Sequence, residues 1–421
     1  MDLREYLEDL EPDPEAERRR LAQEKSYAIT DHLETFQRRF EQRVSGDSLV
    51  GSTAPSIFVG RSSYPAVPVG LLSPVGDEER ASEYVTGGDW HRQSLGIEDV
   101  LERRTGLLNS TQRMGVDAAV GDVWDGFLGV QREVAIADRP VDVEVGLAER
   151  PDLGLETGTG VATPSGPRAP ATSATLTTNP HVPRAVEKTL EDDDWRAEGA
   201  MTYLYRRGFD VYDINTILSA GALGRSDQRR LVPTRWSITA VDDTVGQYLR
   251  GRIASNPSVD SVGVWSTEYM GNRYWVVIAP GRWEYELVEM KAPGSVWNPG
   301  QGDVYLAAAS EGFEGRSGYV DETAGAYYAA RLGVLEHLAD VGRQGTALVL
   351  REVSDAYWAP VGVWQVRESV RAALETEPAV AETFHGAITQ LADHLPVSLE
   401  RLRRKSTLVA GVQSDLTRFG Q

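Results

Sequence analysis

Hydrophobic positions recur along this chain with two different periods, and the period changes from one segment to the next. In residues 1–45 the spacing is helical, and Leu33, Phe36 and Phe40 form a narrow apolar stripe among charged residues. From residue 51 to residue 74, short β-branched runs alternate with Gly, Pro and Ser, which is typical of strands and turns. Strand-like alternation returns in residues 132–148, 262–287 and 344–353.

Helical periodicity is found again in the second half of the chain and in one segment of the first half. The predicted helices cover residues 97–108, 324–341, 366–375, 379–393 and 397–410. Because helices and strands do not alternate in strand–helix–strand units, we predict an α+β fold in one large domain or two closely packed domains. The predicted organisation is an N-terminal helical segment (1–45), a β-rich or mixed core domain (46–300), an α/β C-terminal part packed on that core (301–410) and a short flexible tail (411–421).

The charge balance of the chain is strongly acidic. Its 421 residues include 63 Asp and Glu against 43 Lys and Arg, for a formal net charge of −20, and only four are lysine. Such a surface suits molar salt, where the Debye length is ~3 Å and self-repulsion is screened. We therefore expect a protein from the cytoplasm of an extreme halophile. Molar salt also weakens phosphate contacts, so the acidic balance does not exclude a DNA-associated protein held on DNA by a protein partner.

The sequence lacks the residues, segments and motifs that several kinds of functional site require. There is no cysteine, which rules out disulfides, thiol catalysis and Cys-ligated zinc. No stretch approaches the ~18 consecutive apolar residues of a membrane helix, and the first residues do not resemble a signal peptide. The six histidines show no metal-ligand spacing, and no phosphate-binding or dinucleotide-binding glycine motif is present. We predict no cofactor, no bound metal and no membrane contact.

The C-terminal segment has the spacing of a peptide that binds a groove. Gln413, Leu416 and Phe419 lie three residues apart, so one helical turn would bring the two apolar side chains to the same side. The spacing resembles the motif by which replication and repair proteins bind the DNA sliding clamp, PCNA. Gly420 stands where a second aromatic residue is usual, so we expect weaker binding than a complete motif gives. The alternative is a frayed chain end.

Four cations and an aromatic residue are concentrated within a short central segment. They are Arg225, Arg229, Arg230, Arg235 and Trp236. Arginine matches phosphate bidentately and tryptophan offers a face on which a base can stack, so Arg229, Arg230, Arg235 and Trp236 are candidate nucleic-acid or phosphate contacts. The alternative is an arginine cluster paired with the carboxylates of this chain, followed by a core strand and a turn.

Adjacent acids follow in the same segment, at Asp242 and Asp243. Neighbouring residues of a strand point to opposite faces, so these two carboxylates could share a metal or substrate only in a turn. They are candidate active-site acids of a hydrolase. A surface turn without chemistry is the alternative.

A second candidate for chemistry lies in residues 284–291. On a strand, Glu289 and Lys291 share one face, and an upstream aspartate could complete a metal-dependent nuclease site. Glu284 and Glu286 would then lie on the opposite face. The alternative is an ordinary alternating strand with one salt-bridged face.

Three stretches of this chain resemble a known family. They are residues 54–61 (APSIFVGR) with Tyr64 and Pro65, residues 231–244 (LVPTRWSITAVDDT), and the C-terminal clamp-type segment. All three are similar to the archaeal NreA DNA repair proteins. The resemblance implies a role in DNA-damage repair together with the sliding clamp. Many relatives carry a Cys-rich zinc-binding segment near the N-terminus, which this chain cannot have because it contains no cysteine.

The main hypothesis is therefore a DNA-repair factor that binds PCNA and has DNA as a second partner. The alternative is an enzyme acting on nucleic acid or a nucleotide, either a metal-dependent nuclease or a hydrolase, built on one of the two candidate sites. A third possibility is a scaffold with no site beyond the C-terminal segment. The resemblance names no reaction, so whether the protein is an enzyme stays open.

Overall fold

A computed structural model describes residues 48–54, 56–121, 123–149, 151, 165–295, 297–298, 302–316 and 318–411. The predicted N-terminal helical segment lies outside these described residues. The clamp-type residues Gln413, Leu416, Phe419 and Gly420 lie outside them as well. The described chain contains two mixed sheets and a set of helices, which confirms the predicted α+β class.

The first sheet is built from the N-terminal half of the described chain. Its strands are β1 Ser48–Thr53, β2 Ile57–Val59, β3 Ala66–Pro74, β4 Leu107–Gly115, β5 Val141–Leu147 and β6 Arg168–Leu176. They lie in the order β1-β5-β6-β4-β3-β2, with β4 and β6 parallel and the other neighbours antiparallel. In β5, Val141, Val143 and Val145 are buried and Asp142 and Glu144 are exposed, as expected for a sheet with one face on the core.

The second sheet uses later parts of the chain. Its strands are β7 Val262–Tyr269, β8 Asn272–Ala279, β9 Glu284–Lys291, β10 Tyr305–Glu311, β11 Thr346–Val353 and β12 Ala379–Ala381. They lie in the order β10-β9-β11-β8-β7-β12, and only β9 and β11 are parallel. The domain boundary predicted at residue 300 stays a prediction, and β9 and β10, on its two sides, are neighbours in this sheet.

Twelve α-helices are present in the described part of the chain. They are α1 Gly88–Arg92, α2 Ile97–Thr105, α3 Gly126–Ile136, α4 Arg184–Glu191, α5 Ala197–Arg206, α6 Val211–Ser219, α7 Thr234–Ile253, α8 Ala324–Asp340, α9 Trp364–Leu374, α10 Phe384–Ala392, α11 Leu399–Lys405 and α12 Thr407–Gly411. Short 3₁₀ helices cover Glu78–Tyr84, Val116–Ala119 and Ser226–Gln228. None of the described helices is long and apolar enough to cross a membrane.

Helices cover both faces of the second sheet. On one face, α4 to α9 pack against inward side chains such as Tyr274, Val276 and Leu287. On the other face, α10 to α12 pack against side chains such as Trp275 and Met290. The central strands β8, β9 and β11 are consequently buried on both sides, which explains the apolar runs of β8 and β11, whereas β9 also buries charged side chains.

Three secondary-structure predictions are wrong in part, and each has a physical reason. The strand predicted for residues 132–148 begins as the helix α3, which is buried on nearly all sides and so has no polar face to reveal its period. The helix predicted for 379–393 begins as the edge strand β12. The strand and turn predicted after Arg235 are instead part of α7, where tertiary packing overrides the β-branched residues Ile238, Thr239 and Val241.

Candidate nucleic-acid interface

Three of the central arginines are engaged within the fold. Arg229 is buried, and its guanidinium donates to the carbonyl oxygens of Gly224 (3.0 Å) and Leu190 (2.7 Å). The other two form ion pairs with nearby aspartates, Arg225 with Asp227 at 3.4 Å and Arg230 with Asp117 at 2.5 Å. Pairing with carboxylates, the alternative interpretation, describes Arg225 and Arg230, whereas Arg229 is held by backbone carbonyls.

Arg235 and Trp236 differ from the other residues of the segment. They occupy the first turn of α7, and both side chains are exposed. The Trp236 indole lies 5.3 Å from the ring of Tyr64, centroid to centroid, with 53° between the ring planes. Tyr64 is 54% exposed and Trp236 is 45% exposed. Within the described part of the chain, the Arg235 side chain has no hydrogen bond or ion pair.

Hydrogen bonds of the main chain, one of them to a side-chain hydroxyl, bring these distant segments together. The amide of Val59 donates to the Thr234 hydroxyl oxygen at 3.0 Å, which ties the end of β2 to the start of α7. Val116 connects the same two regions, since its amide donates to Pro65 (2.9 Å) and its carbonyl accepts from Leu231 (3.0 Å). Two of the stretches that carry the family resemblance, residues 54–65 and 231–244, therefore meet in the folded chain.

We call the exposed side chains of Arg61, Tyr64, Arg235 and Trp236 the aromatic surface. Arg61 precedes Tyr64 by three residues in the loop between β2 and β3, and it is exposed without an ion pair in the described chain. Sequence reasoning selected Arg235 and Trp236 but missed Arg61 and Tyr64. The contact of Tyr64 with Trp236 joins residues far apart in the chain, and no local pattern indicates it.

The adjacent acids Asp242 and Asp243 bind arginines on two different helices. Asp242 is 1% exposed, and both its carboxylate oxygens lie 2.6 Å from Nη2 of Arg367 on α9. Asp243 accepts from Nη2 of Arg331 on α8 at 2.6 Å, and its other oxygen accepts from Gln247 at 2.8 Å. Because neighbours on a helix point about 100° apart, the two carboxylates do not converge on one point. Together they attach α7 to α8 and α9.

The ion pair of Asp243 extends into the protein interior. Arg331 also donates to Glu311 at 2.8 Å, and this carboxylate accepts from the Trp283 indole (2.9 Å) and the Tyr327 hydroxyl (3.0 Å). Burial lowers the pKa of Arg331 and the carboxylates of Glu311 and Asp243 raise it, with a net shift upward. The guanidinium is therefore charged and matched by two acids.

The strand β9 places Glu289 and Lys291 on one face, as predicted. The Lys291 ammonium lies 3.1 Å from Glu289, whose other oxygen accepts from Arg351 at 2.6 Å. Arg351 also donates to Asn272, and all four side chains are buried. This agrees with a salt-bridged strand face. Among the described residues, no group of three or more His, Asp or Glu side chains could hold a metal ion.

Glu286, on the opposite face of β9, fixes the last described helix. Its carboxylate accepts from the Ser406 hydroxyl (2.6 Å) and from the amides of Thr407 (2.7 Å) and Leu408 (2.9 Å). Burial raises the pKa of Glu286, and these hydrogen bonds oppose the shift. A carboxylate at a helix N-terminus also interacts favourably with the helix dipole. The position of α12, which ends at Gly411, is thus set by a side chain of the sheet.

Comparison with protein families covers almost the whole described chain. The model of the archaeal Nre N-terminal region matches residues 21–298, and that of the archaeal Nre C-terminal region matches residues 311–419. This chain belongs to the archaeal Nre family. The family resemblance inferred from the sequence is confirmed.

Three relatives show how closely this Nre protein resembles curated members. The DNA repair protein NreA of Haloferax volcanii is 64% identical over 421 residues, which is the full length of both chains. The DNA repair protein NreA of Archaeoglobus fulgidus is 37% identical over 358 residues, covering 83% of this chain and 86% of the relative. NreB of the same organism, also named a DNA repair protein, is 36% identical over 374 residues, covering 88% and 92%. No solved structure matches this Nre protein.

Proposed function

We propose that this Nre protein is a DNA-repair factor that binds the DNA sliding clamp, PCNA, through residues 413–419. The full-length relative that is 64% identical to it is named a DNA repair protein, as are the two more distant relatives. The observation that carries clamp binding is the spacing of Gln413, Leu416 and Phe419. The proposal implies a protein of the halophile cytoplasm, in keeping with its net charge of −20.

The chemistry of the segment suits capture by an apolar groove. In one helical turn Leu416 and Phe419 would enter the groove together while Gln413 hydrogen-bonds at its rim. Burial of an aromatic side chain in such a pocket supplies much of the binding free energy of a short peptide. This mode is insensitive to molar salt, which weakens contacts with phosphate. A protein partner is therefore an effective way to hold an acidic protein on DNA.

The position of α12 limits how far from the fold a clamp bound to residues 413–419 would lie. Gly411 is the last residue of α12, and Phe419 follows it by eight residues. At ~3.5 Å per extended residue, this segment reaches at most ~28 Å. A clamp that holds Phe419 would therefore bind it within about this distance of the end of α12.

Calorimetric titration of PCNA with the full chain in molar KCl tests the proposal. We expect Phe419→Ala to lose about 2 kcal/mol, or about 30-fold in affinity, because an aromatic anchor leaves its pocket. Ser414→Ala is the matched control, since in such a helical turn Ser414 would lie on the side away from the groove, and the affinity of this variant for PCNA should not change. Gly420→Phe should bind more tightly because it completes the aromatic pair. Wild-type affinity in Phe419→Ala would overturn the proposal.

The enzyme alternative lacks comparable support from the described residues. Glu289 and Lys291 are paired with each other inside the fold, and Asp242 and Asp243 are paired with arginines on α9 and α8. A nuclease or hydrolase would need these groups to converge on a substrate in a cleft. The clamp-binding repair factor is the function that we propose.

A further inference from the structure

Two aromatic rings are displayed at the surface in contact with each other. Within the described part of the chain, Tyr64 and Trp236 are the one pair of exposed aromatic side chains in ring contact. Other tryptophans, such as Trp90, Trp283 and Trp364, are buried in the cores. Exposing two large rings side by side leaves apolar area in water that burial would stabilise at ~25 cal/mol per Å². Adjacent exposed rings of this kind are a candidate for a binding surface.

The aromatic surface is held in place by the fold. The Thr234 hydroxyl accepts from Val59 and lies 3.2 Å from the Ser219 hydroxyl, so the start of α7 is joined to both β2 and α6. Further along α7, the buried ion pair of Asp242 with Arg367 attaches the helix to α9. The two rings are therefore presented on a rigid support, and a ligand need not order them on binding.

The charges around the two rings favour an anionic ligand. Arg61 and Arg235 are exposed and have no ion pair in the described residues, whereas Arg225 and Arg230 nearby are paired with aspartates. Unpaired guanidinium groups are unexpected in a chain with a net charge of −20. Arg235 lies in the first turn of α7, at the end of a helix that carries partial positive charge, and Arg61 precedes Tyr64 by three residues. Aromatic faces with flanking arginines fit a ligand that has both flat rings and phosphates.

We propose that the aromatic surface binds single-stranded nucleic acid, with unpaired bases stacked on Trp236 and Tyr64 and phosphates held by Arg61 and Arg235. In a duplex the faces of the bases are covered by their neighbours, so these rings could not reach them. Stacking on an aromatic side chain contributes ~1–3 kcal/mol per base and needs no net positive charge. This contribution persists in molar salt, where phosphate contacts alone are weak. The inference rests on the proposed repair function. It names single-stranded nucleic acid as the ligand of the aromatic surface in a protein held on DNA by the clamp.

Binding of fluorescently labelled single strands to the full chain tests this inference. The probes are oligothymidylate and oligouridylate of about 20 nucleotides, enough to exceed the site size of a small binding fold, and a blunt duplex of the same length. We expect the single strands to bind at least 10-fold more tightly than the duplex. The tighter of the two single strands would identify DNA or RNA as the ligand.

Amino-acid substitutions distinguish base stacking on the two rings from nonspecific electrostatic attraction of the strand. Trp236→Ala and Tyr64→Ala should each weaken single-strand binding by about 10-fold or more, and Trp236→Phe should retain most of it, because a ring face remains. Tyr319→Ala is the control, since Tyr319 is 57% exposed and stacks on Tyr328 elsewhere in the chain. An unchanged urea midpoint in each variant would confirm that the fold is intact.

Two results would overturn the inference. One is equal affinity of the wild type and Trp236→Ala for both single strands, which would indicate that the two rings contact a protein partner instead of nucleic acid. The other is a duplex that binds as tightly as the single strands. Clamp titration with Trp236→Ala and single-strand binding by Phe419→Ala separate this inference from the proposed function, because each variant should lose one activity and keep the other.

Discussion

Replacing Asp242 with asparagine tests whether the adjacent acids of α7 serve the fold. Both oxygens of Asp242 lie 2.6 Å from Nη2 of Arg367, and the two side chains are 1% and 2% exposed. The guanidinium of Arg367 also lies 4.9 Å from the ring of Tyr212. Burial lowers the pKa of Arg367 and the Asp242 carboxylate raises it, with a net shift upward, while burial raises the pKa of Asp242 and the contact with Arg367 opposes that shift.

The expected magnitude follows from this geometry. Removing one partner of a buried ion pair costs ~3–5 kcal/mol, because the remaining charge is left in a medium of low polarity. The asparagine of the variant would keep one oxygen that can accept from Arg367, and a hydrogen bond of this kind returns ~1 kcal/mol. We therefore expect Asp242→Asn to lower the free energy of unfolding by about 3 kcal/mol, a large part of the ~5–15 kcal/mol typical of a folded protein.

Urea unfolding at constant KCl, followed by tryptophan fluorescence, measures this loss. With a urea dependence of ~3 kcal/mol per M, the midpoint should fall by about 1 M. Asp243→Asn is the control: its side chain is 34% exposed and Arg331 keeps Glu311, so we expect a loss of at most ~1 kcal/mol. Adding Arg367→Met to Asp242→Asn removes the buried guanidinium that has lost its carboxylate, and this double variant should recover part of the stability.

One result would refute this reasoning. If Asp242→Asn unfolds at the same urea concentration as the wild type, or at a higher one, the ion pair does not stabilise the protein. Asp242 would then be an acid kept at a cost to stability, as active-site groups often are. The hydrolase interpretation of Asp242 and Asp243 would regain support.

Two further predictions concern the support of α12 and the packing of α3. Glu286→Gln should destabilise α12 by about 1–3 kcal/mol and speed amide hydrogen exchange there, since an amide nitrogen would face an N–H donor; unchanged exchange would contradict it. Gly129→Ala should cost about 2 kcal/mol or more in urea unfolding, because its Cβ would lie 2.2 Å from the carbonyl of Trp124. Gly199→Ala, where a Cβ meets nothing within 4 Å, is the control and should stabilise α5 by about 0.5–1 kcal/mol. Equal effects of the two glycine changes would contradict the packing argument.

Sequence patterns predicted the helices Ile97–Thr105 and Ala324–Asp340 within a few residues of their ends. The first has one buried face, and the second is buried on nearly all sides. The helix α7 was missed because its β-branched residues favour a strand. Its buried positions Ser237, Val241, Val245, Leu249 and Ile253 nevertheless recur every four residues, which is one face of a helix. The helical period was therefore present in the sequence, but the strand propensity of the β-branched residues concealed it.

The arrangement of a candidate site could be predicted from the sequence where it depends only on the periodicity of a single strand or helix. The side chains of Glu289 and Lys291 share a face of β9 because the period of a strand is two, whatever the rest of the fold does. The sequence could not distinguish buried Arg229 from exposed Arg235, six residues later, because the difference depends on which backbone carbonyls surround each guanidinium. The meeting of Tyr64 with Trp236 depends on contacts such as the hydrogen bond that joins the end of β2 to the start of α7, and it lies beyond any local pattern.

The arginines of this protein show why net charge is a poor guide to nucleic-acid binding in an acidic chain. Buried arginines such as Arg331, Arg351 and Arg367 are matched by carboxylates, so they add nothing to the field at the surface. Exposed arginines that carry their own aspartates are neutralised locally in the same way. The positive charge that a ligand meets at the surface comes from guanidinium groups without partners in the described chain, as at Arg61 and Arg235. A total of −20 therefore does not conflict with an anion-binding surface, because at a Debye length of ~3 Å each surface region acts with its own charge.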